Sequence, residues 1–445
     1  MHEERSAAAG ERAALPPLTA AEWVLLLVLA TLQFTHNLDY MIMMPLMPYF
    51  EQEMRISPQQ FGFLVASYAF SAGLSGFLAA LFIDRFDRKR ALLVLYAGFT
   101  LGTLLCAVAP GYVWLLLART VAGAFGGVVA AVVLAIIGDV FSDRQRGRAM
   151  GIIMTAFSVA LIAGLPIGLT LADNYGWRMA FGMLAGASAV ALVLAARILP
   201  PLRGHLARGR ILGADLWAAF THPLHVRAYA LMIALVFSTL MIVPYLADYF
   251  VKNVGRPATD LRWVYLCGGL STLVALPIVG RLSDRFPKLI VFRVLALLAI
   301  IPALGVTHLP PVALAIATLA SAAFMVLTAG RMVPGMAMLT ACALPRYRGS
   351  FMTINTSVQQ LAAGLAAIAG GLILGDTRAD APLTGFHFVG YLAAAAMVLS
   401  VILAGRLRPA GAEALAAVDV LPSSPTLPVE ETGISGKSAA AVCAE

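Results

Sequence analysis

Charge is scarce in this sequence. Asp, Glu, Lys and Arg together make up 12% of its 445 residues, against about 25% in an ordinary soluble domain. A globule of this length needs a polar outer layer, and so few charges cannot build one. Cysteine is scarce too. Cys106, Cys267, Cys342 and Cys443 are the only four; none forms a CxxC, and three lie in apolar runs. That pattern excludes a disulfide framework and predicts no metal site. No HExxH, GxSxG or P-loop occurs, so neither an enzyme nor an ATP-driven machine is expected, and no cofactor. No Lys/Arg block is interleaved with stacking aromatics, which argues against nucleic acid as a partner despite a net charge of +8.

What the sequence has in excess is apolar length. Hydrophobic residues account for 60% of the chain and the mean hydropathy is +0.87. The runs are unbroken rather than alternating, which excludes an outer-membrane barrel. Bounded by charges and turn residues, they give twelve candidate spans at 21–49, 61–82, 90–109, 113–138, 148–172, 179–199, 227–250, 263–282, 289–308, 312–341, 350–375 and 386–406. Each is long enough to cross the ~30 Å hydrocarbon core. Residues 1–20 are polar, and the run after them is too long for a signal-peptide core and lacks a cleavage site, so it reads as a first span. Residues 200–226 divide six spans from six as a linker. Residues 409–445, rich in Ala, Ser, Thr and Pro, read as a disordered tail. The expected units are therefore 1–20, a bundle over 21–199, the linker 200–226, a bundle over 227–408 and the tail.

Lys and Arg set the orientation. With the N-terminus inside the cell, 23 of the 31 fall in cytoplasmic segments, 6 in outer segments and two within spans. Both termini are accordingly expected to be cytoplasmic.

The two halves repeat. Asp84-Arg85-Phe86 follows the second span and Asp284-Arg285-Phe286 follows the eighth. Arg144-Gln145-Arg146-Gly147, leading to Met150, precedes the fifth, and Arg346-Tyr347-Arg348-Gly349, leading to Met352, precedes the eleventh. Two matched motifs at nearly one offset imply two six-helix copies.

Over about residues 20–408 the sequence resembles the major facilitator superfamily, whose G-x-x-x-D-R-x-G-R-K loop joins spans 2 and 3 and is echoed between 8 and 9. The second copy, Gly280 to Phe286, fits well. The first, Ala80 to Arg90, keeps Asp84, Arg85 and Arg88 but carries Ala80 and Asp87 where the family has glycine. The resemblance implies an all-α integral membrane protein, with twelve transmembrane helices in two pseudo-symmetric six-helix bundles. It also implies a conformational latch: Asp84 bracing the start of span 11, Arg88 paired with Asp139, and Gly280, Asp284 and Arg285 as the second copy. A carboxylate at a helix junction suits this, since helix N-termini favour negative charge. In the family, spans 3, 6, 9 and 12 are peripheral and the others line a cavity.

Few ionisable residues remain inside the spans. Asp39 is the one acid placed well inside, Arg119 and Arg331 are the bases and His36 the histidine. Each is costly in hydrocarbon and should face a partner or a wet cavity. His36 and Asp39 are three apart and share a helix face, in a stretch with Pro45 and Pro48 that resembles the entry helix of drug-efflux-like members. Arg119 to Gly123 matches the family's R-x-x-x-G motif. Asp39, Arg119 and His36 are therefore the proton-coupling candidates, with an Asp39–Arg119 charge relation expected across spans 1 and 4. Asn37, Tyr40, Tyr68, Arg331, Asn355, Gln359 and Gln360 are the candidates for a solute cavity, and Pro334 suggests a bend beside Arg331. Gly164, Pro166 and Gly168 partly match the antiporter motif of exporters, with Leu165 in place of a glycine.

The reading is a secondary transporter exporting a small organic solute in exchange for protons, monomeric in the lipid bilayer and, by resemblance, in a bacterial inner membrane. A proton-coupled importer and a transporter-fold ligand sensor are the competing readings. The solute itself is not legible, because one fold serves many solutes.

Overall fold

The computed structural model describes residues 18–202, 213–375 and 381–407. Within them are twelve helices long and apolar enough to cross a membrane: α1 Ala20–Met54, α2 Pro58–Ala79, α3 Arg88–Ala107, α4 Tyr112–Val140, α5 Gln145–Tyr175, α6 Trp177–Ile198, α7 Pro223–Lys252, α8 Ala258–Arg285, α9 Lys288–Thr307, α10 Leu314–Ala341, α11 Arg348–Leu374 and α12 Phe386–Gly405. They make an all-α integral membrane protein of two six-helix bundles. The whole of the expected tail, and the segment before residue 18, lie outside the described residues.

Local chemistry starts and bends these helices. Thr19 and Glu22 form a capping box at the start of α1, and Ser57 and Gln60 do the same for α2, with Pro58 in the first turn. Proline then interrupts several spans, because it lacks the N–H that an interior turn requires. In α1 the helix yields to a 3₁₀ turn at Met44–Leu46 around Pro45 and resumes at Met47. In α5 a π-helical segment, Ala160–Gly164, precedes Pro166, and α7 breaks before Val243 and Pro244. By contrast α10 continues as helix through Pro334, although its ring nitrogen cannot donate to the Gly330 carbonyl.

One boundary differs from the sequence reading. The segment assigned to a linker contains a helix, Gly213–Thr221, and α7 begins at Pro223 rather than 227. The His222 side chain caps this start by accepting from the Leu224 N–H. Leu216 and Ala219 bury against the second bundle, so a stretch read as a linker contributes to its core.

Helices alternate direction, so both ends of the twelve-helix bundle lie on one side, called here the chain-end face; the other is the far face. Toward the far face a single buried cluster runs through both halves, from Leu38, Phe50 and Trp177 to Tyr245, Phe324 and Phe386. Toward the chain-end face the apolar core divides. One cluster belongs to the first half, around Leu29, Tyr96, Val133 and Ile153. The other belongs to the second half, around Leu231, Phe292 and Phe351, with Ala69 of α2 added. The seam between α1 and α7 runs through their far-face pieces, Met44–Met54 against Val243–Lys252, and that between α5 and α8 chiefly through Ala160–Tyr175. The halves are thus joined by a continuous core on the far face, while toward the chain-end face α2 and α11 keep them in contact, with Gly73 and Gly76 beside Ser357 and Gln360.

Within the first half, α2 lies on α4 at backbone distance. A Cβ at Gly127 would fall on the Ala72 backbone, and one at Gly123 on that of Tyr68. Overpacking of this kind costs about 1–3 kcal/mol. Gly280, the first residue of the second loop motif, has no atom within 4 Å of where its Cβ would be. Gly127→Ala should lower the thermal unfolding midpoint of the purified protein in detergent. Gly280→Ala should leave it unchanged or raise it, since alanine favours helix by about 1 kcal/mol.

Candidate functional site

The site in the first half is built on the end of the long piece of α1. Asp39 lies three residues before that piece ends, and it is fully buried. Its Oδ2 accepts from Arg119 Nη1 of α4 at 2.8 Å, and Oδ1 accepts from Thr103 Oγ1 of α3 at 3.1 Å. The same Nη1 also reaches the Asp39 carbonyl at 3.4 Å. Arg119 is 1% exposed. Two opposite charges thus meet in a buried place, and each offsets part of the cost of burying the other. The expected relation across spans 1 and 4 is a direct ion pair.

Aromatic side chains close over this pair. The guanidinium of Arg119 lies 4.3 Å from the centroid of the Tyr68 ring, a cation–π arrangement. Tyr68 stands 5.7 Å from the ring of Tyr40, and its hydroxyl is 3.5 Å from His36 Nδ1. His36 meets the edge of Phe99 at 5.7 Å. Gly126, two turns beyond Arg119, leaves the space occupied by the Tyr68 hydroxyl and the His36 ring. Asn37 points elsewhere, its Oδ1 within 3.4 Å of Gln33 Nε2. The structure therefore gathers His36, Asp39, Tyr40, Tyr68 and Arg119 into one constellation.

Two residues of this constellation were not anticipated. Thr103 and Phe99 belong to α3, which the resemblance makes peripheral. Thr103 is fully buried and bonds both the Phe99 carbonyl and Asp39. An isolated threonine in an apolar helix gives no signal of this.

The helix-5 glycines act through packing. A Cβ at Gly164 would lie 2.8 Å from Leu38 Cδ2, and one at Gly168 would meet Ile42 Cδ1. Gly164 closes the π-helical segment and Pro166 follows it. This stretch of α5 is therefore pressed against the residues flanking Asp39.

The second half holds Arg331, fully buried in α10. Its Nη2 donates to Ser238 Oγ and Thr239 Oγ1, each at 2.8 Å, and to the Leu235 carbonyl at 3.3 Å, all on α7. Its Nε and Nη1 have no hydrogen-bond partner among the described residues. The expected grouping with Asn355, Gln359 and Gln360 is not formed by hydrogen bonds, because the guanidinium turns to the α7 hydroxyls instead. Asn355 is 2% exposed with Oδ1 unpartnered, and Gln359 and Gln360 are half-buried. Gln360 packs beside Gly73 of α2, on the seam between the halves.

At the chain-end face, Arg88 Nε lies 3.4 Å from Asp139 Oδ2, the pairing the resemblance implied. Both belong to the first half, α3 and α4, so this pair braces one bundle rather than joining two. The Asp84 side chain lies outside the described residues. Arg85, Asp284 and Arg285 are exposed, and Gly280 is half-buried in open surroundings.

Asp39 is not the only buried acid in α1 and α7. Glu51 in α1 and Asp248 in α7 are 2% and 0% exposed. They lie near helix ends, where sequence alone places charges at the membrane surface.

The model of the Major Facilitator Superfamily matches residues 29–330 and 228–434. The chain belongs to this superfamily. An uncharacterized MFS-type transporter of Bacillus subtilis, YtbD, is 24% identical over 86% of this chain and 95% of its own length. A chloramphenicol efflux pump of Mycobacterium tuberculosis is 26% identical over 53% of this chain and 57% of its own. The B. subtilis transporter YceJ is 27% identical over 39% of this chain. The chain thus spans only about half the length of several relatives it matches, 44% for YceJ and 57% for the chloramphenicol pump. Among solved structures, a bacterial homolog of the human lysosomal transporter Spinster, inward-facing and unoccupied, superposes with a TM-score of 0.71 at 15% identity. That match covers 87% of this chain and 97% of the other. The nucleoside transporter NupG gives 0.69 at 12% identity, covering 86% and 98%. These likenesses establish the fold.

Breaking a buried ion pair leaves an uncompensated charge and costs about 3–5 kcal/mol, whereas removing both partners costs far less. Asp39→Leu and Arg119→Leu should each lower the unfolding midpoint strongly. The double variant should lose less than the sum, a coupling that a double-mutant cycle on the purified protein measures.

Proposed function

We propose that the protein is a secondary active transporter that exports a small organic solute in exchange for protons by alternating access. The observation that carries this reading is the Asp39–Arg119 pair, buried at 2.8 Å among three helices. In this reading Asp39 takes up and releases the proton, and Arg119, always charged, holds it in place and tunes it without titrating. Proton binding at Asp39 would free Arg119 from its partner, which couples the charge state of the site to helix positions. His36, Tyr40 and Tyr68 form the solute-facing wall of the first half. Arg331, Asn355, Gln359 and Gln360 serve the second, with Asn37 at the margin.

The chain-end face is assigned to the cytoplasm. It carries Arg85, Arg88, Lys89, Arg90, Arg146, Arg148, Arg281, Arg285 and Lys288, whereas the far face carries few bases, such as Arg55, Arg178 and Arg256. Positive residues are retained on the cytoplasmic side of a membrane. The continuous far-face core then corresponds to an arrangement closed to the outside of a bacterial inner membrane. The Arg88–Asp139 brace and the Asp284-Arg285 copy lie where the cytoplasmic ends of the bundles must part and rejoin. Export is supported by relatives named as efflux pumps for chloramphenicol and, probable in its case, for sugar.

Proteoliposomes carrying an imposed pH gradient test the proposal, with radiolabelled chloramphenicol as the probe solute. Exchange predicts solute movement against the proton gradient; movement along it would indicate an importer. Asp39→Asn should abolish gradient-driven transport and retain solute-for-solute exchange. Undiminished gradient-driven transport in that variant would overturn the role given to Asp39.

A further inference from the structure

A second buried charge cluster spans both halves at the far face. Glu51 lies in the outer piece of α1, and Asp248 and Lys252 lie one turn apart in the outer piece of α7. Lys252 Nζ is 2.5 Å from Glu51 Oε2 and 3.2 Å from Asp248 Oδ2. The three side chains are 2%, 0% and 9% exposed. Beyond this ion pairing, Glu51 Oε1 and both Asp248 oxygens have no hydrogen-bond partner among the described residues. Met44, Leu46, Met47, Phe50 and Tyr245 pack the same region.

The count of charges is uneven. Two carboxylates and one ammonium leave one negative charge in a largely buried pocket, and such a charge is expensive to hold. The neighbouring polar groups are already engaged. Tyr49 of α1 bonds Asp173, Glu53 pairs with Arg178 of α6, Tyr245 bonds the Ala367 carbonyl of α11, and Tyr249 the Leu309 carbonyl. Arg55 ends α1 with its backbone N–H on the Glu51 carbonyl, and Arg256 bonds the Val312 carbonyl. Of the other elements packed against this part of α7, α2 contributes only Tyr68, and α9 ends at His308, which bonds Tyr391. The charges that act on Glu51 are those of Asp248 and Lys252. A single proton held between the two carboxyls balances the cluster, and its O–H supplies a donor to oxygens that otherwise have none.

We propose that Glu51 and Asp248 form a proton-binding site between the two halves, and that its proton closes the far face. The inference rests on the alternating-access reading and is distinct from Asp39, which is buried within the first half alone. When the far face opens, the outer pieces of α1 and α7 part, water reaches all three groups, and both acids ionise. The closed state therefore holds one proton more than the open state. By linkage the ratio of open to closed rises with pH, by at most about tenfold per pH unit. External acid shuts this face, and the proton that shuts it comes from outside.

The test uses the full chain in lipid nanodiscs, with the native cysteines replaced by alanine. Spin labels are placed at Asn174→Cys and Thr259→Cys, exposed positions on opposite halves at the far face. Distances are read between about pH 5 and pH 9. The parent should show a long-distance population that grows with pH. Glu51→Gln and Asp248→Asn, each of which fixes one neutral partner, should stay closed and lose the one-proton slope that this pair gives the parent. Lys252→Met leaves two acids with no base, so closing needs two protons and the ratio should steepen toward about a hundredfold per unit. An amide variant that keeps the parent's pH slope overturns the proposal. So does a parent whose far face opens with added chloramphenicol but ignores pH, a result that leaves alternating access standing. A far face that opens with neither overturns alternating access as well.

Discussion

A charge inside a bilayer must be neutralised by the protein that carries it there, because no water is available to do so. The structure meets this constraint in three ways. Asp39 and Arg119 balance each other one to one, with Thr103 and the Tyr68 ring completing the shell. Among the described residues Arg331 is met only by neutral oxygens of α7, and it shares its charge with hydroxyl dipoles. Glu51, Asp248 and Lys252 overbalance toward negative. Each solution fixes what the site can exchange with its surroundings: a balanced pair changes only when one member changes protonation, whereas an excess acid changes by taking a proton.

Placing these groups depends on residues that carry no charge. Arg119 reaches Asp39 because Gly123 and Gly127 let α4 lie on α2 at backbone distance, and Gly126 leaves room for Tyr68 and His36. Gly164 and Gly168 press α5 onto Leu38 and Ile42, either side of the acid. Prolines then divide α1 and α7 into inner and outer pieces, so each span has a portion within its own half and a portion in the shared far-face seam. Asp39 lies in the first kind of portion, Glu51 and Asp248 in the second. This division separates a charge that belongs to one bundle from charges that belong to the interface.

The spans and the repeat were legible because they are statements about long averages. Twelve apolar runs survive an error of a few residues at each end, and paired Asp-Arg-Phe motifs survive substitution of a glycine by Ala80. Asp39 and Arg119 were legible because a lone acid and a lone base in apolar helices leave each other as the nearest solution. The rest depended on what sequence does not encode locally. Thr103 resembles Thr100, and both bond a carbonyl four residues back; only the direction of α3 decides which also meets Asp39. Ser238 and Thr239 took Arg331 away from Asn355 and Gln359 because α7, not α11, presents oxygens to it. Glu51, Asp248 and Lys252 sit within a turn or so of helix ends, where hydropathy averages toward the surface, and their burial follows from two halves meeting at a proline-broken seam.

The two halves repeat in topology but not in charge. The first half carries a neutral pair at its centre, the second a lone guanidinium. A neutral pair can pass from a dry to a wet environment with little net change in solvation, since separating its partners loses attraction while hydration is gained. A lone guanidinium gains hydration with no attraction to lose. Arg331 therefore favours any arrangement that brings water or an acceptor to Nε and Nη1, the two atoms its α7 hydroxyls leave unmet. The cost of a closed, dry centre thus falls mainly on the second half, and the cost of a closed far face on the acids of the seam. The charges are thus distributed unequally on a scaffold that is otherwise doubled.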